Sequence, residues 1–158
     1  MPKPITPKGL GAPMGMYSHG MVGPGGELIV VAGQVGSAAG QAPAADVGTQ
    51  TQVALENVRA IVEAGGASMR DVIRLQTFLT RAEDIPAFMK ARGEAYPKLF
   101  PDGVYPPNTL LIVSRLVRPE LLVEIEAMAV RTPKRAAAAA SKAPARSRGR
   151  RPAKARRR

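Results

Sequence analysis

Two glutamates, Glu124 and Glu126, interrupt the otherwise apolar run LLVEIEAMAV at residues 121–130. Side chains alternate across a β-strand, so the pair shares one face, about 7 Å apart. Leu122, Met128 and Val130 lie on that face with them, while Val123, Ile125, Ala127 and Ala129 take the other. A carboxylate partly withdrawn from water has its pKa pushed up, which suits it to positioning a water or moving a proton. Two solvated side chains on an exposed sheet face would give the same pattern, and alternation alone leaves both possibilities open.

The remaining reactive groups are few. His19 is the single histidine and follows Tyr17 and Ser18; it suits either acid–base work or a structural role in a strand. Tyr17 fits ligand contact or packing. Ser18 and Ser114 have no visible triad. There is no cysteine, which excludes disulfides, thiolate metal sites and cysteine nucleophiles. One histidine without cysteine argues against zinc, although carboxylates alone can hold a hard cation weakly. The G-x-G of GLGAPMG precedes a strand instead of following one, so it is no dinucleotide fingerprint, and no phosphate-binding G-x-x-x-x-G-K-[ST] segment is present.

The elements that must position these groups follow from periodicity. Residues 1–13 are rich in Pro and Gly and read as irregular. Strand-like runs at Met16–Gly23 and Glu27–Ala32 flank VGPGGE, which predicts a β-hairpin; 34–45 reads as a loop of small residues. Asp46–Ala64 is a helix, with Val47, Ala54, Val58, Ile61 and Val62 at helical spacing, Asp46 or Thr49 as N-cap and Gly65-Gly66 as terminator. Val72–Leu79 is a strand. A second helix runs from about Asp84 to Leu99, with Ile85, Phe88, Met89, Arg92 and Tyr96 on one face, Pro86 in its first turn and Pro97 near its end. Leu110–Leu116 and Leu121–Val130 are the last strands. The order ββ–α–β–α–ββ allows two right-handed crossovers with both helices on one face of a sheet. The opposite, largely apolar face then lacks cover, which predicts oligomerisation and places the glutamates in or beside an interface.

The net charge of +11 is unevenly placed. Residues 131–158 hold twelve of the 23 Lys and Arg and no Asp or Glu, so residues 1–130 carry a net charge of −1. A domain at 1–130 and a disordered Ala/Pro/Lys/Arg tail at 131–158 are expected. Arg146, Arg148, Arg150, Arg151, Lys154, Arg156, Arg157 and Arg158 give that tail the chemistry of non-specific nucleic-acid contact through phosphates, without an aromatic for base stacking. The start, MPKPITPKGLG, has no apolar leader-like stretch, and no run approaches the roughly 20 apolar residues of a membrane span. A cytoplasmic protein without membrane association is expected.

Five segments in order, MGMYSHG, LIVVAGQV, VALENVRAIVEAGGASMRDVIRLQTFL, PPNT and RPELLVEIEAMAV, resemble the Rid (YjgF-like) family of reactive intermediate deaminases, over about residues 13–131. The resemblance implies a chorismate-mutase-like α+β fold, a mixed sheet with two helices on one face. It also implies a homotrimer with ligand clefts between subunits and hydrolysis of small imines or enamines without metal or cofactor. Carried over position by position, Tyr17 matches the cleft tyrosine and Gly33 the glycine whose backbone meets the ligand. Ala32 stands where a serine is usual, and Met16 where a proline is usual. Glu124 matches the carboxylate that holds the attacking water, and His19 falls at the cleft mouth. Asn108 replaces the arginine that pairs with a substrate carboxylate, so the charge-assisted fork of a guanidinium is missing there. That suits a family branch without the arginine.

Overall fold

The structure is a computed structural model and describes residues 1–38 and 40–132. Its strands are β1 (Lys3–Ile5), β2 (Gly20–Val22), β3 (Glu27–Val35), β4 (Val72–Leu79), β5 (Asn108–Ile112) and β6 (Val123–Arg131), and its helices are α1 (Val47–Ala64) and α2 (Ile85–Leu99). The main sheet has the order β3-β6-β4-β5. β6 runs antiparallel to both neighbours, and β4 and β5 are parallel. The sheet is therefore mixed, as expected.

Both helices cover one face. Val31, Val72, Leu75, Leu79, Val123, Ile125, Ala127 and Ala129 point from the sheet into a core completed by Ala54, Leu55, Val58 and Val62 of α1 and Phe88 and Tyr96 of α2. The alternation expected in β6 holds, since Val123, Ile125, Ala127 and Ala129 are all buried. α1 begins where its cap chemistry dictates, with Asp46 accepting a hydrogen bond from the Thr49 amide at 2.7 Å. It ends at Gly65, followed by Gly66 at φ +79°, a left-handed conformation cheap only for glycine. Ile61 and Met89, assigned to the apolar stripes, are exposed instead, because each stripe is narrower than its periodicity implied. Gln50 and Thr51 are buried in α1.

The other face is open. Leu28 and Val30 are 60% and 63% exposed, and Ala32, Arg74, Thr109 and Leu111 are exposed with them.

Three local expectations are corrected. β2 and β3 do not form a hairpin: β2 pairs with β1 in a separate two-stranded sheet, and β3 pairs with β6. The six-residue spacer is no tight turn; Gly23 lies against Val130 and Ile73, and a Cβ at Gly26 would meet the Arg131 carbonyl at 2.3 Å, so the chain crosses the end of β6. The first residues are not wholly irregular, because β1 supplies the partner that β2 needs. β5 starts at Asn108 and stops at Ile112, where its register with β4 ends at Leu79, instead of running from Leu110 to Leu116. The tail residues from Arg146 to Arg158 lie outside the described residues.

Candidate active site

On the open face the site begins with a bulge. Val31 pairs with Ala127 and Gln34 with Ile125, so β3 spends three steps where β6 spends two. The extra residue falls at Ala32–Gly33, and a bulge of this kind re-aims the chain beside it. Gly33 is thereby pressed onto Glu124: a Cβ there would lie 1.6 Å from Oε1. A side chain at this position would displace the Glu124 carboxylate, so the bare backbone of Gly33 is what lies against it. Glu124 is half-buried. Its pKa is raised above the ordinary 4.5, first by burial and then by repulsion from Glu126. No Lys or Arg pairs with it among the described residues. Glu126 is exposed. It lines a hollow of about 140 Å³ with Val30, Ala32, Arg74, Gln76 and Met128.

Two side-chain amides on α1 hold this arrangement. Gln50 is fully buried, donates to the carbonyls of Ala44 (2.7 Å) and Glu120 (2.9 Å), and accepts from the Leu122 amide at 2.8 Å. It thus pins the chain two residues before Glu124. Gly36 leaves room for it, since a Cβ there would meet the Gln50 side chain at 2.2 Å. Asn57 donates to the carbonyls of Val35 and Ser37 at 3.3 and 3.2 Å, fixing the residue that pairs with Glu124 in register. Neither amide was singled out from sequence. The available signal was a Gln four residues before Ala54 in a stripe otherwise of small and aliphatic side chains.

A second group forms elsewhere. Ser18 donates to the Tyr105 carbonyl at 2.6 Å, which ties the Tyr17–His19 segment to the loop before β5. Half-buried Tyr17 meets His19 edge-on at 6.0 Å between centroids. His19 is exposed, with Nε2 2.7 Å from the Gly11 carbonyl; a carbonyl only accepts, so Nε2 carries the proton. Tyr105 stacks on Tyr96 at 5.6 Å. Asn108 pairs in register with buried Leu75, so it belongs to the helix-covered side, and its Oδ1 accepts from Thr77 Oγ1 at 3.2 Å. Burial pushes the Tyr96 phenol up to about 12, against the opposing effects of Arg92 and of the Asn108 side chain.

The structure therefore brings Gly33 and Ala32 to Glu124, and brings Tyr17 and His19 toward the strand that carries Asn108. It does not bring the two groups together. Glu124 pairs in register with Phe78 and Asn108 with Leu75; three steps apart along β4, they leave the sheet on opposite faces.

The fold and site define a small α+β domain with a glycine-abutted, desolvated carboxylate on the open face of its sheet. The chain belongs to the family described as Endoribonuclease L-PSP, which it matches over residues 9–131, the group to which Rid proteins belong. It is 34% identical over 133 residues to the 2-iminobutanoate/2-iminopropanoate deaminase of Escherichia coli (strain K12), covering 83% of this chain and 99% of that one. The Rid family protein YyfB of Yersinia pestis superposes with a TM-score of 0.70 at 29% identity, covering 82% and 98% of the two chains. E. coli TdcF, solved with bound serine, gives 0.61 at 32%, covering 82% and 99%. No helix among the described residues is long and apolar enough to cross a membrane.

Proposed function

We propose that this protein hydrolyses small imines or enamines in clefts completed between copies of the chain in a homotrimer. The observation that carries this is Glu124, half-buried, unpaired and held against the bare backbone of Gly33 on an uncovered sheet face. The relative's 2-iminobutanoate activity supplies the reaction class. Starting from the protonated imine, Glu124 holds a water and takes one of its protons as the water oxygen bonds to the imine carbon. It passes that proton to nitrogen as the C–N bond breaks, and the remaining hydroxyl proton is released to solvent as the carbonyl forms, leaving a carbonyl compound and ammonia. Tyr17, His19 and Asn108 of a neighbouring copy form the cleft's other wall, which accounts for their separation from Glu124 within one chain. Asn108 in place of an arginine puts the chain in a branch without the strand guanidinium.

Freshly generated 2-iminobutanoate tests this. Wild type releases 2-oxobutanoate well above the spontaneous rate, and Glu124→Gln falls to that rate, a loss of about 100-fold or more. Equal rates for the two proteins would remove Glu124 from the chemistry.

A second activity is favoured by the tail alone, whose twelve cationic and no acidic residues suit polyanions. DNA retention should fall steeply with salt and be lost in protein truncated after Arg131; equal retention by the truncated protein excludes it.

A further inference from the structure

The bulge that presses Gly33 onto Glu124 is anchored at both ends. Val31, just before it, is 2% exposed in the core, and Asn57 of α1 holds the Val35 carbonyl just after it at 3.3 Å. Between these anchors stand Ala32 and Gly33, whose own side chains are too short to fix their peptides. Gly33 also has the widest choice of backbone conformations. A side chain reaches both from the next position. Gln34 turns back and donates from Nε2 to the Ala32 carbonyl at 3.1 Å and to the Gly33 carbonyl at 3.3 Å.

Both peptides that flank the Gly33 Cα are thereby held. A peptide is planar, so fixing its carbonyl also sets the direction of the N–H at its other end. The Gln34 amide therefore orients the N–H groups of Gly33 and Gln34 and the Cα between them. Glu124 Oε1 lies in the space that a Cβ on Gly33 would fill. A turn of either peptide drives the Cα into the carboxylate or opens a gap that admits water. We infer that Gln34 is a positioning residue for Glu124, holding the bulge closed against the carboxylate through two backbone carbonyls. The inference rests on the proposed reaction only for its kinetic consequence, since the contact itself belongs to the fold.

The charges around Glu124 do not involve Gln34. Glu126 repels it from the same strand face, and Arg74 stands across from Met128, beyond Glu126, hydrogen-bonded to Gln76. Its cross-strand partners, Val35 and Phe78, are uncharged, and Gln50 and Asn57 of α1 are neutral. Tyr17 and His19 of a neighbouring copy are the titratable groups on the proposed cleft's other wall. Loosening the bulge thus acts on the hydration of Glu124 and relaxes the burial that raises its pKa.

Gln34→Met conserves length and removes both donors, and Gln34→Leu carries the test if the first variant does not fold. Full-length proteins are compared by carbon-13 titration of the Glu124 carboxylate, assigned by its loss in Glu124→Gln, and by the pH profile of 2-iminobutanoate hydrolysis. In the variants the Glu124 midpoint should fall toward the ordinary 4.5, and the acid limb of the profile should move with it. One of the two bonds is exposed and the other part-buried, so kcat should drop only about 5- to 10-fold, with KM within about 2-fold of wild type. A purely structural role would lower the melting temperature and leave the Glu124 titration in place, and that result in a folded variant overturns the inference. A rise in KM with kcat unchanged overturns it as well. A midpoint that falls in the variants of a protein without imine hydrolysis would keep the positioning role and refute the proposed reaction.

Discussion

The two sides of the main sheet handle polar groups differently. On the open side, Glu124 is poorly compensated: burial and Glu126 oppose its charge, and the bare backbone of Gly33 lies against it. On the helix-covered side, polar groups are mostly satisfied. Thr77 donates to Asn108, and Gln50 makes three hydrogen bonds to backbone. Arg92 is the exception there, with Nε buried and unpartnered. Satisfied polar groups fix a fold, and a poorly compensated one on an open face marks where something else is to bind. The contrast singles out Glu124.

The contrast can be broken by substitution. The largest effect is expected at Gly33: Gly33→Val places side-chain atoms where the Glu124 carboxylate lies and should lower imine hydrolysis by at least about 100-fold, read as initial rates. Gln50→Ala removes three hydrogen bonds, stranding the buried Leu122 amide and freeing the carbonyls of Ala44 and Glu120, and should cost about 2–3 kcal/mol in urea unfolding. Thr77→Val deletes the hydrogen bond to Asn108 and should cost about 1 kcal/mol in the same unfolding measurement; no change would mean that this bond contributes nothing to stability.

The smallest effect is the pH dependence of stability. Because the folded protein raises the Glu124 pKa above 4.5, it favours the protonated form. Stability is then highest below the unfolded value and declines as pH rises through the higher folded value. Glu124→Gln mimics the protonated state, so its melting temperature should exceed that of wild type at neutral pH. The gap should close in acid, and a constant gap would deny the shift.

Much of this was legible because periodicity reports which face is buried. Alternation in β6 gave the sides of Val123 to Ala129 correctly, and the cap and terminator of α1 were written in Asp46 and Gly66. Alternation fails where a strand gains a residue. The bulge at Ala32–Gly33 changes register without changing composition, so the contact between Gly33 and Glu124 was invisible to spacing; family resemblance named the two residues but not their contact. Pairing partners were illegible for a related reason: β2 joins β1 instead of β3, a choice made by chain path and not by local propensity. Gln50 was overlooked as a site element because a polar residue on a helix reads as surface until its partners are known.

The central claim is that Glu124 with Gly33 and Tyr17 with its neighbours belong to one cleft contributed by different copies. Subunit complementation tests it most directly. Glu124→Gln and Tyr17→Phe proteins, each assayed alone for 2-oxobutanoate release, are unfolded together, refolded at equal amounts and assayed again. If neighbouring copies share each cleft, random assembly leaves about a quarter of the clefts with both native side chains, and the mixture should recover about that fraction of wild-type activity. A mixture no more active than the average of its two components would contradict the shared cleft.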